Sequence, residues 1–467
     1  MFTSENFKKV ADLVYKDYYK YLFKHAVSLL RRSRLPYLRR NNLWIGGIQQ
    51  NMVKYRLGFE ETVRKGKSMV PKDDKEKKAL DIALRSNKEF LRVLKDIGDG
   101  IAWRNLDYRR SLIRLMSEHA PTGDIGPDAE RLILLLGARK KVSDRVIIND
   151  LTHCLKIADL TVITSKSRIF IYEVKARKDK TEIIGISEIS RRIQKYGQAR
   201  KQAISHWIVQ DAFINKKVKT PKLEIRIVDL DFVFHTHISK VNQLIKESDN
   251  KNFSNALLEG GYHIEICALD KVFEKSGQEK IKEQLNKLKP FNPHKEGWSD
   301  MTLCISNYDT FYSSINDRFT NFTPYSVLPL SARNCVRLTM GQLYIRICFD
   351  FMKLKQKFEE AGWSVEVKDW TSWESQNKET IRKIREGKGG FLEHSVNEYI
   401  FKISKQGENG RYTQDFPVNL VIIMLSAFYT TDYLIGMAEA VYQDAKLNSR
   451  GGGLSTFNCL YERCILR

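Results

Sequence analysis

Within residues 158–178, ADLTVITSKSRIFIYEVKARK, three side chains have the types needed to cleave a phosphate ester: Asp159, Glu173 and Lys175. Strand alternation groups Ile169, Ile171, Glu173 and Lys175 on one face and Phe170, Tyr172 and Val174 on the other. Both faces are apolar for most of the run, the pattern of a buried strand. At its end one face turns to a carboxylate and an amine two residues apart, about 6–7 Å along a strand. Two neighbouring carboxylates bind a hard divalent cation through oxygen. Such a cation acts as a Lewis acid and acidifies a bound water. An ammonium beside it orients that water and stabilises charge growing on a phosphate.

Bringing these groups together requires a hairpin. Residues 160–164 and 169–175 read as two strands around the polar connection 165–168. If that connection sets Thr164 opposite Ile169, Asp159 falls opposite Val174, between Glu173 and Lys175. A slip of one residue sets Asp159 opposite one of those two. Either register delivers Asp159 to the same end of the sheet. Asp150, nine residues upstream, is a rival for the first acidic position; Asp159 is preferred because it abuts the strand. Residues 149–153 (NDLTH) are expected as a loop near the site.

The flanks supply further elements. Residues 121–127 (PTGDIGP) are a turn-rich break, and 128–137 read as a short buried helix carrying Glu130. A strongly helical stretch spans 186–209, and 223–234 read as another strand. The order helix, strand, strand, helix, strand predicts an α/β or mixed-sheet core. Residues 1–118 read as mostly helical, with Pro36 ending the first helix.

Asp159, the hairpin and Glu173-Val174-Lys175 together resemble the PD-(D/E)xK nuclease superfamily, which has the restriction-endonuclease-like fold. The likeness covers residues 128–235 of the 467, and Ala158 stands where the family's name-giving Pro would be. The resemblance implies a mixed sheet flanked by helices and a Mg2+ cofactor for which Mn2+ can substitute. Asp159 and Glu173 would be metal ligands, joined by the backbone carbonyl of Val174 and by Glu130 as a further acid. Lys175 would position or activate the attacking water. In that family the helix after the E-x-K strand presents Gln or Tyr to the site. Gln194, Gln198 and Gln202 recur here on one helical face, with Tyr196 alongside, and Gln198 is the one assigned a site role.

Charge points the same way. The formal net charge is +23, divided as +13 over residues 1–120, +9 over 121–220 and +1 over 221–467. A basic half joined to a neutral half predicts that one half meets a polyanion and the other recognises a partner, mediates assembly or gates the activity. Arg31 and Arg32, in the run with Arg34, Arg39 and Arg40, are candidate nucleic-acid contacts, as are Arg191, Arg192 and Lys195. Either run alone is ordinarily a solvated surface; the excess over 220 residues favours nucleic acid.

Other chemistries lack their motifs. The seven Cys include no C-x-x-C, against a zinc ribbon or redox dithiol of that kind, and their odd number fits a reducing cytoplasm. The start of the chain has no signal-peptide pattern, and the longest apolar run, 418–429, is too short to span a bilayer. Residues 387–390 (GKGG) lack the Ser/Thr of a P-loop. His235 and His237 would share a strand face, without a third ligand.

The resulting expectation is three domains: a basic helical region (1–120), a nuclease core (121–238) and an α+β accessory domain (239–467). The expected function is metal-dependent phosphodiester hydrolysis on DNA in preference to RNA, in anti-phage defence, restriction or repair. The alternatives are a non-catalytic nucleic-acid-binding protein retaining the fold and a protein-interaction scaffold. The expected partners are nucleic acid, a second copy (cutting both strands needs two sites) and a protein bound by the C-terminal half, with no membrane.

Overall fold

The computed structural model describes residues 13, 16–35, 42–106, 116, 144–155, 159–164, 168–177, 180–185, 217–219, 224–230, 235–272, 291–299, 301–307, 323–367, 399–407, 410–448 and 459–462. Its first helices are α1 (Asp17–Ser33), α2 (Asn42–Ser68) and α3 (Asp74–Asn105). Along α1, Tyr19, Leu22, Ala26, Leu29 and Leu30 recur at helical spacing and are buried. The helix stops ahead of Pro36, as the steric demand of proline on its predecessor requires. Only 69–73 separate α2 from α3, where the Asp73 side chain caps α3 by accepting the Glu76 N–H at 2.7 Å.

Four strands follow: β1 (Arg145–Ile148), β2 (Leu160–Ile163), β3 (Ile169–Arg177) and β4 (Lys180–Gly185). They form an antiparallel sheet in that order. The hairpin register differs by one residue from the first of the two expected. Ile163, not Thr164, pairs with Ile169. Thr164 instead closes the turn, donating its N–H to the Arg168 carbonyl at 2.9 Å and accepting the Arg168 N–H on its hydroxyl at 3.2 Å.

The strand expected at 223–234 forms as β6 (Glu224–Leu230). It pairs with β5 (Lys217–Lys219) and, in parallel, with a strand near the C-terminus, not with the hairpin sheet. Next come α4 (Ile238–Lys251), β7 (Phe253–Glu259), β8 (Tyr262–Ala268) and β9 (Thr302–Ser306). After them lie α5 (Ala332–Thr339), β10 (Leu343–Asp350) and α6 (Phe351–Glu360). The second four-stranded sheet has the order β7-β8-β10-β9 and is antiparallel throughout. A third sheet joins β11 (Ser364–Val367), β12 (Tyr399–Gly407) and β13 (Gly410–Pro417). Helices α7 (Val418–Ser426) and α8 (Asp432–Asn448) precede β14 (Cys459–Glu462), the parallel partner of β6.

The architecture is therefore mixed α+β with several small, mainly antiparallel sheets. The apolar run 418–429 is core: Val421, Met424 and Leu425 are buried, and no helix among the described residues is long and apolar enough to cross a membrane. One apolar cluster takes Leu22 and Phe90 from the helices, Leu160 and Val162 from the first sheet, and Ile264 and Phe349 from the second.

Helix α3 is the axis of that packing. The Asp96 carboxylate accepts the N–H groups of Tyr325 and Ser326, both at 3.0 Å. A Cβ on Gly98 would lie 1.8 Å from the Leu151 carbonyl oxygen, so only glycine allows this approach. From α1, the Arg34 guanidinium reaches the same loop as Asp96, donating to the carbonyls of Tyr325, Ser326, Leu328 and Leu330.

Candidate functional site

The helices build the support before the strands bring the acids. Strand β1 is an edge of its sheet, and a buried edge with bare polar backbone is costly. Gln49 of α2 closes it with one amide, donating Nε2 to the Val146 carbonyl at 2.7 Å and accepting the Ile148 N–H at 2.8 Å. The turn after β1 is moored to α2 and α3. Arg56 donates to the Asp150 carbonyl at 2.9 Å and pairs with its carboxylate at 3.7 Å. Asp99 accepts the backbone N–H groups of His153 at 2.6 Å and Cys154 at 2.9 Å, and meets the His153 ring Nδ1 at 2.9 Å.

This moored turn carries Asn149, which is buried. Its N–H donates to the Asp159 carbonyl at 2.9 Å, and its side-chain oxygen accepts the Thr161 hydroxyl at 2.9 Å. Asp159 thus continues the β1–β2 pairing one step past Leu160. On its other side it donates its N–H to the Tyr172 carbonyl at 3.1 Å. Its residue is 8% exposed. The β2–β3 ladder ends at Leu160 opposite Tyr172, and Asp159, one residue further out, bonds to that same Tyr172. The ladder itself follows the slipped of the two expected registers.

Glu173 pairs across β4 with Ile184, Val174 with Ile183, and Lys175 with Glu182. Lys175 lies two residues past Glu173 on the same face of β3, and Glu182 adds a third acid to that end of the sheet. The structure therefore seats Asp159 beside Tyr172, the residue before Glu173, with Lys175 further along β3. Among the described residues no cluster of three or more His, Cys, Asp or Glu side chains is placed to hold a metal ion.

The rival acid Asp150 is engaged by Arg56, itself buried and further paired with Glu60 at 2.7 Å. Glu130, Gln198, Arg191, Arg192 and Lys195 lie outside the described residues. Arg31 and Arg32 occupy the last turn of α1 and are exposed, while their neighbour Arg34 is turned inward onto carbonyls. His237 does not share a strand face with His235. It caps α4 and meets Glu259 at 3.1 Å. Glu259 also accepts the Thr431 N–H at 2.9 Å, the Thr431 hydroxyl at 2.7 Å and the Lys357 ammonium. Burial raises its pKa, but the bonds from His237, Lys357 and Thr431 outweigh burial and pull it down to about 2.

Sequence reasoning missed Gln49, Arg56 and Asp99, each a helical polar residue turned into the protein. One signal was present. The run Asp96-Ile97-Gly98-Asp99-Gly100 puts two glycines and two acids inside a helix, where propensity disfavours all four. Comparison of the chain with protein-family models, with curated proteins and with solved structures finds no match.

Proposed function

We propose that this chain is a metal-dependent nuclease that hydrolyses phosphodiester bonds of DNA, on a core of restriction-endonuclease-like type. The observation that carries the reading is the hydrogen bond from Asp159 N–H to Tyr172 C=O. It seats the first acid beside the strand residue preceding Glu173, with Lys175 next on that face.

Asp159 and Glu173 would hold Mg2+, or Mn2+ in its place, with Val174 offering a backbone carbonyl. The bound ion supplies Lewis acidity and a water of lowered pKa. Lys175 would position or activate the attacking water and offset the negative charge that grows on the phosphate. The exposed Arg31 and Arg32, and the positive charge concentrated in residues 1–220, supply contacts to the phosphate backbone. A nuclease with a large neutral accessory half suits anti-phage defence, restriction or repair.

The test is cleavage of supercoiled plasmid, linear duplex, single-stranded DNA and RNA by the purified full chain with Mg2+ or Mn2+. DNA cleavage that EDTA stops is expected. Glu173→Ala and Lys175→Ala should lose it while still retarding DNA in a gel. Variants that cleave as the parent does would overturn the site. Retention of DNA by the parent with no cleavage under either metal would leave a binding protein instead.

A further inference from the structure

Outside that site, two cysteines of the second sheet meet sulfur to sulfur. Cys304 on β9 and Cys348 on β10 are directly opposed, with their Sγ atoms 2.7 Å apart. Phe351 donates its N–H to the Met301 carbonyl. Counting in from that bonded pair makes 304/348 a non-hydrogen-bonded position, where opposed Cα atoms sit about 4.5 Å apart. That separation falls inside the range of about 4.4–6.8 Å spanned by disulfides. Closing the sulfurs to a bond of about 2.05 Å asks for a shift well under 1 Å, within reach of side-chain rotation.

The two thiols are unequal. Cys304 is exposed and Cys348 is buried. The hydrogen bond shared with Cys348 lowers the Cys304 pKa against the opposing effect of burial; the Arg346 guanidinium, 3.5 Å away, lowers it further. Cys348, through its bond to Cys304 and its burial, is pushed up and stays a thiol. Arg346 is held in place by Glu265 at 2.7 Å and by the Phe291 carbonyl at 3.0 Å. His263, the Cys348 neighbour on β8, is kept neutral because burial and Arg346 lower its pKa to about 4. An exposed sulfur of lowered pKa, backed by a buried protonated one, is the arrangement of an attacking and a resolving thiol.

We propose that Cys304 and Cys348 are a reversible redox pair that closes to a cross-strand disulfide when the protein meets a two-electron oxidant of the peroxide class. The Cys304 thiolate attacks one peroxide oxygen. The O–O bond breaks, leaving a sulfenic acid on Cys304 and a hydroxide that takes up a proton to become water. The Cys348 sulfur then attacks the Cys304 sulfur. The S–O bond breaks, the S–S bond forms, and the departing hydroxide leaves as water with the Cys348 proton. Two thiols thus lose two electrons to one peroxide, giving one disulfide and two waters. A dithiol reductant reverses the reaction by exchange. The bond staples β9, the edge strand of its sheet, to β10, and it does not depend on the nuclease reading.

The experiment treats the native full chain with hydrogen peroxide, alkylates it, and measures intact mass and peptide maps. Loss of two hydrogens, a peptide linking 304 to 348, and recovery with dithiothreitol are expected. The buried Cys154, Cys267 and Cys335 should be alkylated only after unfolding. In Cys348→Ser, peroxide should leave a sulfenic acid on Cys304 that dimedone traps. Both thiols still open to alkylation after peroxide, a link to any other cysteine, or no dimedone adduct in that variant would overturn the proposal. The wild-type map stands even if the variant folds poorly.

Discussion

Asp99 takes the His153 backbone N–H at 2.6 Å and the His153 ring nitrogen at 2.9 Å, so one carboxylate of a long helix fixes the turn that leads to Asp159. Removing it orphans these donors and the Cys154 N–H inside the protein. Asp99→Ala should cost about 3 kcal/mol of unfolding free energy, read from urea denaturation. A loss under about 1 kcal/mol would show that the turn holds itself.

Gly98 and Gly58 make a paired test of crowding. A methyl on Gly98 meets the Leu151 backbone, whereas one on Gly58 finds nothing within 4 Å. Gly98→Ala should destabilise by about 3 kcal/mol or more, because backbone must move. Gly58→Ala, inside α2, should stabilise by roughly 0.5–1 kcal/mol through helix propensity. Thermal melts of the two variants decide it.

Two arginines three residues apart on one helix end should behave differently. Arg34→Lys replaces a planar fork by a single ammonium and leaves carbonyls of 325–330 without donors, an expected loss of about 3 kcal/mol. Arg31→Ala, at an exposed position, should change stability by no more than about 0.5 kcal/mol. It should instead weaken DNA binding and reduce the slope of log K against log salt by about 0.9. An unchanged slope would remove Arg31 from the nucleic-acid surface.

Stability should fall at both ends of the pH range. Burial, together with the Asp99 charge, raises the Asp96 pKa from 3.8 to about 7, against the N–H bonds from Ser326 and Tyr325. The folded state therefore prefers protonated Asp96. This contribution is complete below about pH 4 and is lost as pH rises through about 7. For Glu259, lowered from 4.5 to about 2, the sign reverses: its contribution is complete above about pH 4.5 and is lost as pH falls through about 2. Melting temperatures across pH 5–8 should decline for the parent relative to Asp96→Asn. Toward pH 2, the parent's advantage over Glu259→Gln should shrink. A parent curve parallel to Asp96→Asn from pH 5 to 8 would mean that Asp96 does not titrate there.

Metal should stabilise the fold and its removal should reverse that. At a hundredfold excess over Kd, Mn2+ or Mg2+ should add about 2.7 kcal/mol, which EDTA abolishes. Asp159→Asn should erase this shift in a thermal melt. Asp150→Asn should keep it, because Arg56 already occupies that carboxylate. The opposite ranking of the two variants would hand the first ligand position to Asp150.

The hairpin was legible because β-branched and aromatic residues crowd both sides of a short polar connection. Its register was not, since a strand apolar on both faces has no preference between one pairing and its neighbour. The turn closes at Thr164, through its N–H and its hydroxyl. The acids at the strand end stood out because they break an apolar run. The groups that hold their surroundings in place did not: Gln49, Arg56 and Asp99 look like the solvated face of a helix until its neighbours are known. Strand β6 was legible too, but its partner β14 lies more than two hundred residues away, and pairing at that distance leaves no local trace.

The amide of Gln49 meets two of the backbone groups that β1 presents along its open side. Excised at residue 121, where the motif alone would draw a boundary, the four strands would lose that cover together with the Asp99 anchor. They would then offer a naked ladder to any passing chain, and such a piece should clump instead of cutting DNA. The minimal folding unit therefore has to begin at or before α2, far upstream of the acids it serves.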